Sequence, residues 1–134
     1  MYTNNVHQKR FQKTLAFLNQ NIEKGSHILD LGVQNPMSEL MKANGYKVEN
    51  TQGEDLDEDI TGLINSSAEV VTAFEILEHL LSPYHVLKSI RAKKLVVSVP
   101  LKIWFSGAYR SKTDMRDRHF HEFEDWQFNW LLEK

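Results

Sequence analysis

The chain of 134 residues contains no cysteine. That absence excludes disulfides, thiolate nucleophiles and cysteine-ligated zinc. Proline (three residues) and glycine (six) are sparse, and no internal repeat, low-complexity tract or domain linker interrupts the sequence. No apolar run approaches the ~20 residues needed to cross a bilayer. The opening Met1-Tyr-Thr-Asn-Asn-Val6 lacks the basic-then-apolar layout of a secretion signal, so the expected location is cytoplasmic. Neither sign of charge dominates: the formal net charge is −2, with 25% charged and 41% apolar residues. Such a balance is ordinary for a globular protein and does not support binding of extended nucleic acid. The length predicts one domain over 1–134, near the lower end for an open α/β enzyme.

What is present reads as alternating helices and strands. Phe11, Leu15, Leu18 and Ile22 recur at helical spacing, and Gly25 stops that helix. The stripe fits plain packing on a sheet, and also a helix that covers a ligand site. His27 to Leu31 reads as a short buried strand turning at Gly32; a helix follows from Pro36, with Met37, Leu40 and Met41 on one face. Asn44-Gly45 ends it, and Tyr46 to Asn50 is the next strand. An acidic, turn-rich stretch from Gly53 to Asp59 leaves room for one helical turn near Ile60 to Ile64. Glu69 to Phe74 is a strong strand running into the turn Glu75-Ile-Leu-Glu-His79. Ser82-Pro83 reads as a cap and first turn for a helix with Val86, Leu87 and Ile90 inward, before a strand at Leu95 to Val99. Leu101 to Arg118 is an irregular connection, and Asp125 to Lys134 a last helix. Two strand-to-turn units, at 27–33 and 68–81, put polar side chains where open parallel sheets bind ligands.

Leu29-Asp30-Leu31-Gly32, followed by Phe74-Glu75-Ile76-Leu77-Glu78-His79, resembles the class I S-adenosylmethionine-dependent methyltransferases over roughly residues 26 to 134. Within that family the nearest likeness is to ubiquinone-pathway O-methyltransferases. The resemblance implies a Rossmann-like, open, mostly parallel sheet with helices on both faces, in the order second, first, fourth, fifth strand. The fold would be reduced: the third strand shortened or absent, and the family's C-terminal antiparallel pair missing. Either the chain is cut at Lys134, or the strand at Leu95 to Val99 offers an edge that pairs with a second copy. Of the family's acid-x-Gly-x-Gly-x-Gly turn, Asp30 and Gly32 are kept, whereas Gln34 and Pro36 replace the later glycines.

What this implies for function is methyl transfer from S-adenosyl-L-methionine to a small acceptor, anionic or hydroxyl-bearing. Asp30, Gly32, Val33, Gln52, Asp55, Phe74 and Glu75 would hold the cofactor, and His79 and His121 would be catalytic. Gln52 stands where the family places its ribose-binding acid, with Glu54, Asp55 and Asp57 close behind; a solvated loop is the other reading of that acidic run. If 75–79 is a helical turn, Glu75, Glu78 and His79 share a face. Relatives with a similar Glu-x-x-Glu-His, including terminal ribose methyltransferases of small RNAs, hold a divalent metal there with a further histidine. Glu75, Glu78, His79 and His121 (or His119) would be the ligands, a metal the pattern allows without favouring. The other expectation is that His79 hydrogen-bonds a backbone carbonyl. Eight Lys or Arg between Arg91 and Arg118, among them Lys102, Arg110, Lys112, Arg116 and Arg118, mix with Trp104, Phe105 and Tyr109. That mixture suits an anionic acceptor. The rival expectation is a non-catalytic relative of the same fold that serves as a binding or regulatory subunit. An NAD(P)-binding domain is disfavoured, since Gly-x-Gly-x-x-Gly is absent.

Overall fold

A computed structural model describes residues 5–101 and 118–134; the amino-terminal 1–4 and the connection carrying Lys102, Trp104, Phe105, Tyr109, Arg110, Lys112 and Arg116 lie outside them. In chain order the elements are α1 (Asn5–Asn21), β1 (His27–Asp30), α2 (Pro36–Ala43), β2 (Lys47–Asn50), α3 (Thr61–Ile64), β3 (Val70–Phe74), a 3₁₀ turn (Leu77–His79), α4 (Pro83–Ser89), β4 (Lys94–Ser98) and α5 (Asp125–Glu133). The four strands form one all-parallel sheet in the order β2-β1-β3-β4. It is the expected reduced α/β sheet: among the described residues α3 alone occupies the stretch between β2 and β3.

Alternation along the strands feeds two apolar layers. Ile28, Val70 and Val96 meet Leu15 and Leu18 of α1, Ile22 just after it, and Met37 and Met41 of α2. Leu29, Val71 and Ala73 point the other way, toward Leu63 of α3 and Val86 of α4, with Phe128 and Leu131 of α5 packed on the same cluster. Successive strand residues face opposite sides, so one short strand serves both layers. Leu18 and Val86 are fully enclosed, and emptying such a position costs about 2–5 kcal/mol. The last helix contributes only one side of itself: Trp126 and Trp130 remain 47% and 66% exposed.

β1 is followed by β2 on one side, and the chain then returns to add β3 on the other. This reversal opens a crevice at the carboxyl ends of β1 and β3, because the crossovers diverge there. Among the described residues β2 and β4 are the edge strands, and after β4 Leu101 makes an isolated parallel bridge to Phe123.

The start of α4 differs from the sequence expectation. Ser82 makes no side-chain cap. Asp57 instead anchors the chain just before the helix, accepting from Leu81 N at 2.8 Å and Ser82 N at 2.9 Å. Its neighbours are similarly occupied: Asp55 accepts from Asp57 N and Asp59 from Thr61 N. The acidic run is thus a set of backbone clamps. Asp57→Ala removes two charge-assisted bonds and should cost about 1–3 kcal/mol in urea unfolding; an unchanged midpoint would show the clamp to be idle.

Candidate functional site

A cleft of about 310 Å³ lies at the β1/β3 divergence. Its floor is the β1 tip, Asp30 to Val33, and the β3 tip, Phe74 to Ile76; Arg10, Phe11 and Thr14 of α1 form the opposite wall, with His79 and Ser98 also on its surface. α1 therefore both packs on the sheet and borders the cleft.

The floor is held by one buried acid. Asp30 is paired in register with Asn50 on β2 and with Thr72 on β3, so the three side chains stand side by side across three strands. The Asp30 carboxylate accepts from Thr72 Oγ1 at 2.7 Å and Asn50 Nδ2 at 3.1 Å, with Asn35 Nδ2 farther off at 3.5 Å. Asp30 is 2% exposed. Burial raises its pKa, against the opposing effect of these hydrogen bonds. Asn50 Nδ2 also donates to Gly32 O at 3.0 Å, and Gly32 N donates to Thr51 Oγ1 at 2.7 Å, which fixes the turn. Gly32 has φ +107, a region L side chains rarely adopt.

Asn35 then closes α2. Its Oδ1 accepts from Met37 N at 2.9 Å and Ser38 N at 3.1 Å, while its own N–H donates to Ser38 Oγ at 2.8 Å. The donors that a pyrophosphate would need at this helix start are already engaged. Gln34 and Pro36 thus stand where the glycines were expected, and Asn35 between them caps the helix.

Glu75 departs from the helical turn expected over 75–79. Its φ is +58, and the 3₁₀ turn begins only at Leu77. Such a conformation in a non-glycine residue costs on the order of 1–3 kcal/mol. Two contacts with β4 hold it: Glu75 N donates to Ser98 O at 2.9 Å, and Ser98 Oγ lies 3.4 Å from Glu75 Oε2. The carboxylate faces Arg10 across the cleft, Nη1 to Oε1 3.6 Å.

The structure brings together Glu78, His79 and His119, with one ligand atom of each within 4.8 Å of the others. Glu75 and His121 do not belong to that group. Were this segment extended, alternation would put His119 and His121 on the same side. Instead Phe120 N and His121 N both donate to Glu78 O, at 2.8 and 3.3 Å, which bends the segment. His119 accordingly meets His79 edge to face at 4.6 Å, and His121 Nε2 lies 3.2 Å from Leu81 O. His79 Nδ1 is 3.0 Å from Arg118 O, the backbone-carbonyl contact expected of it. With that nitrogen donating, Nε2 carries the lone pair.

Gln52 and Asp55 are not on the cleft wall. Gln52 is exposed, its Nε2 donating to Asn50 O at 3.4 Å, and Asp55 closes its own turn. The β2 side chain that reaches the floor is Asn50. Parity along β2 could have located it, since Asn50 is the residue level with Asp30. Arg10 had a weaker signal, one position before the stripe residue Phe11.

The chain matches no protein-family model, no curated protein and no solved structure.

Glu78 is 1% exposed, and its Oε2 has no hydrogen-bond partner among the described residues. Burial pushes its pKa up from 4.5 to about 8. The folded chain therefore keeps this proton where the unfolded chain has released it. Stability from this group is full below pH 4.5 and lost as pH rises toward 8. In chelator-containing buffer the loss across that window should be on the order of a few kcal/mol. Glu78→Gln cannot titrate and should remove that slope in denaturant unfolding followed from about pH 5 to about pH 8; an unaltered slope would contradict the assignment.

Proposed function

We propose that the chain is a small class I-type methyltransferase domain that transfers a methyl group from S-adenosyl-L-methionine to a small acceptor. The observation that carries this reading is the cleft at the β1/β3 divergence, floored by Asp30-Leu-Gly32 and Phe74-Glu75. Its walls combine apolar side chains (Phe11, Val33, Met37, Phe74, Ile76) with the fixed carboxylate of Glu75. That mixture suits a cationic, partly apolar ligand. The engaged amides at the start of α2 argue against a dinucleotide in the same place.

When bound, the cofactor supplies a methyl group activated on sulfonium sulfur. The chain's share is alignment and proton management. α1 and the two strand tips border the cleft. His79 lines the cleft with Nδ1 3.0 Å from Arg118 O and Nε2 3.6 Å from Glu78 Oε1, and the imidazole is the candidate proton acceptor for an acceptor hydroxyl. His121 is outside the cleft lining and has no such position.

A second reading rests on the Glu78, His79 and His119 group. One carboxylate and two imidazoles suit manganese or zinc better than magnesium. A metal there would lower the pKa of a bound hydroxyl, and Glu78 Oε2 is a buried oxygen that lacks a hydrogen-bond partner among the described residues. Calorimetry should then show manganese bound by the native chain and lost in His119→Ala; equal heats from both would remove this centre.

No described helix is long and apolar enough to cross a membrane. A cytoplasmic setting and self-pairing through the β4 edge belong to the same proposal. Its direct test is thermal unfolding with S-adenosylmethionine, S-adenosylhomocysteine and NAD. At a hundredfold excess over Kd the first two should stabilise by about 2.7 kcal/mol, a rise of several degrees. NAD should do nothing. Stabilisation by none of the three would favour a non-catalytic binding subunit.

A further inference from the structure

Arg10 and Glu75 face each other across the cleft with unequal freedom. Glu75 is fixed: its backbone is held in the left-handed region at φ +58, and β4 grips both its N–H and its carboxylate. Arg10 is on α1 with a side chain 40% exposed, on a long stem. Their separation of 3.6 Å and partial exposure make this a weak ion pair, easily exchanged. Arg10 is the one Lys or Arg among the described residues that line the cleft. His79 lines the same cleft.

We propose that this pair is an exchangeable latch through which the cleft takes an anionic acceptor: a ligand cation engages Glu75, and the released Arg10 guanidinium then holds a carboxylate or phosphate of the second substrate. The inference rests on the methyl-donor reading and deepens it. A cation competes with Arg10 for Glu75, and an anion competes with Glu75 for Arg10. Each ligand therefore removes the obstacle to the other, and the coupling must be reciprocal. A sulfonium is cationic and the thioether left after transfer is neutral. The latch consequently favours acceptor entry with the methyl donor loaded, and Glu75 recaptures Arg10 once the charge is gone. A guanidinium can take carboxylate or phosphate by two parallel N–H bonds.

Titration with benzoate, benzamide and inorganic phosphate tests this. Binding is read by calorimetry on the full chain alone, with S-adenosylmethionine, and with S-adenosylhomocysteine. Benzoate or phosphate should bind at least fivefold tighter with the sulfonium compound than with the thioether, and benzamide should not respond. Arg10→Gln should weaken the anion at least tenfold without altering affinity for S-adenosylhomocysteine. Glu75→Gln should raise anion affinity in the unloaded chain and erase the difference between the two cofactor forms. Equal binding of benzoate and benzamide, or no effect of Arg10→Gln, overturns the latch. If neither adenosyl compound binds, the methyl-donor reading fails by itself. Trimethylsulfonium then serves as the cation, and its failure to promote anion binding sinks the latch independently.

Discussion

The carboxylate of Asp30, sealed beneath the sheet's carboxyl end, is the constraint on which the rest of this structure depends. A buried acid is costly unless its oxygens are hydrogen-bonded. Here the donors come from β2 and β3, with the first turn alongside, so satisfying the acid fixes the tips of three strands relative to one another. Gly32 leaves the strand at φ +107 as part of the cleft floor, and Thr51 and Asn50 hold it there. The crevice is a consequence of topology. Its fixed width at this level is a consequence of Asp30.

From that floor outward, charge is distributed unevenly. Asp30 is enclosed and internally satisfied, Glu75 is fixed but reachable, and Glu78 is buried beside two imidazoles. The three acids sit in different surroundings and so do different work. Asp30 sets geometry, Glu75 is the carboxylate that the cleft presents, and Glu78 is enclosed beside His79 and His119. Strain at Glu75 fits this division: a residue held at φ +58 by β4 is presented to the cleft.

Much of the fold was legible in the sequence because periodicity reports burial. The apolar stripe of α1, the short strands and the single turn at Thr61–Ile64 all follow from spacing and punctuation. Contacts between distant segments were not legible. That Asp57, rather than Ser82, would serve the start of α4 depends on a meeting across 24 residues. The choice of His119 over His121 depended on a bend imposed by one carbonyl, which alternation cannot foresee. Gln52 was expected at the ribose position only because the family resemblance places its acid there. The structure instead turns the chain after Asn50 and leaves Gln52 in solvent. Asn35 has a local role, the cap of α2, that spacing alone could have shown, whereas Asp30 and Arg10 acquire their roles only beside distant partners.

The central claim is that the β1 and β3 tips form one cradle for an adenosyl sulfonium compound. Amide chemical-shift mapping with S-adenosylhomocysteine on isotopically labelled protein tests it most directly. The account predicts the largest shifts at Gly32, Val33, Glu75 and Ile76, with the amides of Met37 and Ser38, held by Asn35, little changed. Shifts confined to other elements, or centred on Met37 and Ser38, would contradict it.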